Sequence, residues 1–228
     1  MNARLDRLPP KLLWPLLVLA ASAWAFVKIA GEMLEGDTHA VDLMILQWCR
    51  VPGQAALPLG PLWLQEGIRD LTALGSPAVL TLAVGTTWGY LMLAGRMPLA
   101  WFTAAATGSG LLLSMALKNL FSRSRPDALY HATVASGYSF PSGHAMMSAV
   151  VFLTLAALLA RVLPQMRLRW YVLSAAMLLT GLTGLSRIYL GVHWASDVAA
   201  GWAAGAAWAM GCWLLAQRLH VGPNALNP

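Results

Sequence analysis

The chain alternates long apolar runs with short polar connections. Six runs stand out: between Lys11 and Lys28, within 71–95, within 97–117, and over 144–160, 170–186 and 198–217. A helix crossing hydrocarbon needs roughly 20 residues, with a range of about 17–25. Each run therefore predicts a membrane-spanning helix. The first, fourth and fifth are short but can extend through their flanks, with Lys28 snorkelling to the interface. The predicted fold class is all-α: a six-transmembrane-helix bundle forming one integral membrane domain over residues 1–228. The first run has a second reading as a signal peptide, because Ala23-Trp24-Ala25 resembles a cleavage site. The apolar run continues past that point to Val27, and five spans would remain.

The stretch 32–70 breaks the pattern, being too long and too apolar for a plain loop. It predicts short amphipathic helices broken at Pro52 and at Pro58–Pro61, in an extracytoplasmic connection. Met44, Ile45, Trp48, Trp63 and Leu64 either lie in the outer headgroup layer or build a cap on the bundle, and both readings stand.

Composition agrees with membrane residence: 58% of residues are hydrophobic, only 11% are charged, and the mean hydropathy is +0.62. Soluble domains average nearer a quarter charged residues. Trp101, Trp170 and Trp194 stand at the ends of apolar runs, as interfacial belts do. The net charge of +6 is scattered between the runs, which excludes the clustered basic patch of a nucleic-acid surface. It is a topology signal instead. The N-terminus with Arg4, Arg7 and Lys11, the connection at Arg96 and the connection 161–169 are basic and nearly free of acid, so both termini are expected in the cytoplasm. Cys49 falls in a polar connection and Cys212 near the far end of the last run, so no structural disulfide is expected.

Under this topology three polar clusters fall on the extracytoplasmic side. The first runs from Lys118 to Arg125 and Pro126, the second is Pro141-Ser142-Gly143-His144, and the third holds Ser186, Arg187, His193 and Asp197. Lys118 and Arg125 are seven apart, about two helical turns, so on a helix they point the same way. Arg125 offers a planar fork for phosphate oxygens and Lys118 a point charge. Ser142 suits an N-cap, and backbone at Gly143 opens a helix end that favours an anion. His193 and Asp197, four apart, share a face on a helix. A carboxylate on one imidazole nitrogen fixes the tautomer and leaves the other free to attack. His144 is then a candidate proton donor. Each feature alone has a plain reading as anchor, cap or surface pair. Ionisable groups converging at a membrane edge are costly, and together they point to function.

The clusters resemble the three-part signature of the type 2 phosphatidic acid phosphatase superfamily: Lys-x6-Arg-Pro, Pro-Ser-Gly-His and Ser-Arg-x5-His-x3-Asp, matched without substitution over residues 118–197. The resemblance implies His193 as a nucleophile forming a phosphohistidine. It implies Asp197 as its orienting carboxylate and His144 as general acid and then base. Lys118, Arg125, Arg187, Ser142 and Gly143 would bind the substrate phosphate. It implies no metal and no other cofactor. The expected activity is hydrolysis of a lipid phosphomonoester or diphosphate, such as undecaprenyl diphosphate, phosphatidylglycerol phosphate or phosphatidic acid, in a bacterial inner membrane. A phosphotransferase acting on another lipid such as lipid A, and a non-catalytic lipid-phosphate transporter, are the alternatives. Residues 127–140, with Tyr130, His131 and Tyr138, overhang the site in sequence as a lid, a headgroup-reading loop or a plain connector. Gly201 with Gly205, and Gly181 with Gly184, permit close helix contact, read as packing within one molecule or as self-association.

Overall fold

The computed structural model describes residues 10–219, with side chains from Leu13 onward. Arg4 and Arg7, two of the charges used for orientation, lie outside the described residues, as does the side chain of Lys11. In chain order the elements are α1 (Pro10–Glu35), α2 (His39–Trp48), β1 (Arg50–Val51), β2 (Gln54–Pro58), α3 (Leu62–Ala73), α4 (Pro77–Leu93), α5 (Met97–Phe121), α6 (Gly143–Val162), α7 (Met166–Tyr189) and α8 (Ala195–Arg218), with a short 3₁₀ turn at Ala128–Tyr130. Five helices are long and apolar enough to cross a membrane: α1, α5, α6, α7 and α8. This is an integral membrane protein.

The second predicted span, within 71–95, falls mainly on α4, which alone is too short to count among these crossings. Only joined to α3, which precedes it across a bend of 46°, does it make a sixth. The cause is local. Ser76 caps α4, its Oγ accepting from Val79 N at 3.3 Å, and Pro77 at the first helical position has no N–H to donate.

The stretch 32–70 holds the short helices α2 and α3, but between them the chain makes a two-stranded antiparallel hairpin. Pro52 presets the turn and Gly53 takes the left-handed conformation, φ +78°, that its third position needs. The Pro-Gly pair marks this turn, and reading Pro52 only as a helix breaker missed it.

α8 lies at the centre, packed on α6, α7 and α1. Its small residues permit this. A Cβ at Gly201 would stand 2.8 Å from Ser142 O, and one at Gly205 would stand 2.5 Å from Met146 O. The Gly201–Gly205 pair thus serves packing inside the molecule. Gly184 receives the Trp202 ring, whereas Gly181 faces open space and takes no part in a helix contact. Indole donors tie helices together: Trp202 Nε1 donates to Thr180 O at 3.0 Å and Trp208 Nε1 to Ala106 O at 2.8 Å. Such bonds satisfy polar groups that hydrocarbon cannot. The C-terminal ends of α5 and α7 and the N-terminal ends of α6 and α8 come together at one end of the bundle. There Phe140, fully buried, packs with Phe26 and Phe121 and anchors the connection 122–142.

Candidate active site

The three sequence clusters meet at that end. His193 lies in the connection between α7 and α8 and is 2% exposed; Asp197, in the first turn of α8, is fully buried. The two do not sit on one helix face, because α8 starts only at Ala195. Their pairing has another cause. The Asp197 carboxylate turns back over the helix start, where Oδ2 accepts from Trp194 N at 2.9 Å, an arrangement that satisfies a free N-terminal amide. The same oxygen stands 3.3 Å from His193 Nδ1. Nε2 then faces the other way, 3.1 Å from Arg125 Nη1. Burial holds the His193 imidazole well below its usual range, at about 4, with Arg125 and Lys118 pushing it down against the pull of Asp197.

Lys118 and Arg125 also converge, although not along a helix. α5 ends at Phe121, and Ser122 takes a left-handed conformation, so Arg125 stands in the loop beyond. Lys118 Nζ donates to Tyr138 O at 2.9 Å. Arg125 donates to Gly137 O and Ser136 O at 2.9 Å each, and to Val192 O at 2.7 Å. Loop carbonyls thus occupy the donors of two cations. Burial lowers the Arg125 guanidinium from its ordinary range, and Asp197 opposes the shift. Arg187, buried in the last turn of α7, donates Nη1 to Thr72 Oγ1 at 3.0 Å, while its Nε is buried without a hydrogen bond among the described residues. Thr72, at the end of α3 beside the bend, was not read from the sequence.

Ser142 caps α6, its buried Oγ accepting from Ala145 N at 3.5 Å. Gly143 opens the helix against the Lys118 side chain; a Cβ there would stand 3.3 Å from Lys118 Cε. His144 follows, half-buried, within electrostatic reach of Arg187, His193, Lys118 and Arg125. All eight residues singled out by the sequence therefore sit at this one end.

Two more charged residues belong to the cluster. Arg123 Nη1 donates to Asp197 Oδ1 at 2.7 Å, and its Nη2 donates to Asp42 Oδ2 at 2.8 Å. Asp42 comes from α2, 81 residues away, and is 2% exposed. In the sequence both looked like loop charges; only the short spacing from Arg123 to Arg125 hinted otherwise. Arg50 was also missed. It is buried, and it ties the end of α7, through Tyr189 O at 2.8 Å, to Tyr130 O of the overhanging loop. Counting Lys118, Arg123, Arg125 and Arg187 against Asp42 and Asp197, the cluster carries an excess of two positive charges, which a phosphate dianion matches. Among the described residues no three His, Cys, Asp or Glu side chains are grouped to hold a metal ion, and Cys49 and Cys212 are free thiols.

Comparison with known proteins identifies the family and the fold. The PAP2 superfamily model matches residues 98–220. Phosphatidylglycerophosphatase B of Bacillus subtilis is 34% identical over 166 residues, 67% of this chain and 75% of that protein. The crystal structure of a transmembrane PAP2-type phosphatidylglycerolphosphate phosphatase from Bacillus subtilis superposes with a TM-score of 0.77 at 27% identity, covering 88% of this chain and 96% of that one. The crystal structure of Aquifex aeolicus LpxE shares the fold, with a TM-score of 0.50 at 24% identity over 70% of this chain and 88% of that one. On its sequence and its fold alike, the chain belongs to the PAP2 superfamily and is a membrane phosphatase.

Proposed function

We propose that this phosphatase hydrolyses a lipid phosphate through a phosphohistidine on His193. The observation that carries the reading is the setting of that imidazole. Nδ1 faces Asp197 Oδ2 at 3.3 Å, and Nε2 faces Arg125 at 3.1 Å, in a cluster with an excess of positive charge. The substrate phosphate takes the donors of Lys118, Arg125 and Arg187, with Ser142 and the Gly143 amide completing the cradle. Arg125 turns its donors from His193 and the loop carbonyls to the phosphate, and the Nε2 lone pair is released. Nε2 attacks phosphorus, the bond from phosphorus to the lipid oxygen breaks, and that oxygen takes a proton from His144. Water then attacks phosphorus and gives a proton to His144. The nitrogen–phosphorus bond breaks, its electrons return to Nε2, and inorganic phosphate leaves. No step requires a metal ion.

A site at the edge of a helix bundle suits a substrate whose tail stays in hydrocarbon. Tail burial supplies affinity at about 0.8 kcal/mol per CH₂. Among phosphatidylglycerol phosphate, phosphatidic acid and polyprenyl diphosphates such as undecaprenyl diphosphate, the activity named for the Bacillus subtilis relative and for the Bacillus subtilis crystal structure favours the first. Arg96, Arg161, Arg167, Arg169 and Arg218 all lie toward the opposite end from His193, which supports a bacterial inner-membrane enzyme with cytoplasmic termini and an extracytoplasmic site.

The test is phosphate release by detergent-purified protein in EDTA across these lipids, with His193→Ala alongside. Release by wild type and loss of at least about a thousandfold in the variant is expected. Retained turnover by His193→Ala would remove it as nucleophile, a strict metal requirement would contradict the mechanism, and release only with an acceptor lipid would make the enzyme a phosphotransferase.

A further inference from the structure

The geometry points to Arg123 and Asp42 as positioning residues that lock the Asp197 carboxylate, and through it the His193 imidazole, for phosphoryl transfer. The inference rests on His193 as the nucleophile, as argued above.

Asp197 is held from two directions. Oδ2 accepts from Trp194 N at 2.9 Å and faces His193 Nδ1 at 3.3 Å, while Oδ1 accepts from Arg123 Nη1 at 2.7 Å. The carboxylate cannot rotate away from the imidazole without breaking a charge-assisted bond. Arg123 is itself fixed on several sides. Nη1 also donates to Ser196 Oγ at 2.7 Å, Nη2 donates to Asp42 Oδ2 at 2.8 Å and Thr38 Oγ1 at 3.3 Å, and Cζ stands 5.6 Å from the centre of the Trp194 ring. Asp42 closes the circuit: Oδ1 accepts from Ser196 N at 2.8 Å and Oδ2 from Ser196 Oγ at 2.5 Å. Ser196 is the neighbour of Asp197. The network therefore grips the first turn of α8 from α2 and from the end of α5 together.

Charge explains why two carboxylates are used. An arginine paired with Asp197 alone would cancel its charge. Asp42 takes the other half of the guanidinium, so the trio of Asp42, Arg123 and Asp197 keeps one negative charge. That charge faces the imidazole as Nε2 bonds phosphorus and the ring, still protonated at Nδ1, becomes positive. Lysine is a poor substitute, because a single point charge lacks the planar fork that spans both partners. A plain topology anchor would reach toward water. The Arg123 side chain is only 13% exposed, and both its terminal nitrogens are committed to carboxylates.

A group acting on this step moves kcat and leaves phosphate binding to Lys118, Arg125 and Arg187. The experiment compares wild type, His193→Ala, Asp42→Asn and Arg123→Lys on phosphatidylglycerol phosphate, with inorganic phosphate as competitor. In Asp42→Asn and Arg123→Lys, kcat should fall about 10- to 100-fold while KM and the inhibition constant of phosphate stay within about twofold. Turnover retained by His193→Ala would sink the underlying reading. An inactive His193→Ala beside unchanged kcat in both network variants would overturn this inference alone. Because a lone buried charge can unfold a variant, the double variant Asp42→Asn/Arg123→Gln, which removes one charge of each sign and so keeps the net charge of the trio, is measured too and should show the same split. Ser196→Ala, which removes one hydroxyl and no charge, should lower kcat about threefold, a smaller effect than for the charge variants; an unchanged kcat there also counts against the network.

Discussion

At the scale of single residues, burial decides the working state of His193. An ordinary histidine is half protonated at 6.5, but this one is pushed down to about 4 and is neutral, with its lone pair available, across the physiological range. The substrate brings its own ionisation near 6. The plot of log kcat/KM against pH should therefore fall with a slope of one proton below about 6, and of two protons only below about 4. A two-proton slope starting at once below 6 would show that His193 titrates in the ordinary range. The sign for stability follows from the same shift. Between 6.5 and about 4 the unfolded chain takes up a proton that the folded protein refuses, so this group makes folding less favourable as pH falls. His193, Asp197 and His144 were legible because residue type and spacing are local information. Arg123 lies in the same sequence cluster as Arg125, but its role was not legible there. Its meaning depends on Asp42, 81 residues earlier, and only the packing of α2 on α8 brings them together.

At the scale of elements, the site depends on how closely α6 and α8 approach, since Ser142 and His144 ride on one and Asp197 on the other. Ser142 N even donates to Asp197 O at 2.9 Å across that seam. Gly205→Ala places a Cβ 2.5 Å from Met146 O and 2.6 Å from Ala149 Cβ, with backbone on one side that cannot yield. It should destabilise the protein by about 1–3 kcal/mol and lower kcat, because the two helices must part. Gly181→Ala, facing open space on α7, should leave activity unchanged and hold or slightly raise stability. Thermal melts in detergent beside turnover check both, and equal behaviour of the two variants would refute the seam argument. The apolar runs and their polarity made the spans legible, but not the bend between α3 and α4 nor the hairpin. Ser76-Pro77 and Pro52-Gly53 were visible signals of each. Whether such a signal bends a helix, ends it or starts a strand depends on what packs around it.

At the scale of the whole molecule, His193 and its neighbours lie at one end and the basic connection at Arg161, Arg167 and Arg169 at the other. On the proposed orientation, binding of a phosphate dianion accounts for the many cations on an end that the positive-inside rule would leave poor in them. Counting Lys and Arg over the whole chain blurs the orientation signal; removing the phosphate-site cations from the count sharpens it. That argument predicts an outcome for labelling in intact cells. Val134→Cys, 94% exposed on the overhanging loop, should react with a membrane-impermeant maleimide added outside. Gln165→Cys, exposed in the connection between α6 and α7, should react only after lysis. Each variant is made in a Cys49→Ser/Cys212→Ser background, since both native thiols are free. The reverse pattern would put His193 in the cytoplasm. The cations of the site would then lie on the side where the positive-inside rule expects Lys and Arg, and their number would need no function to explain it.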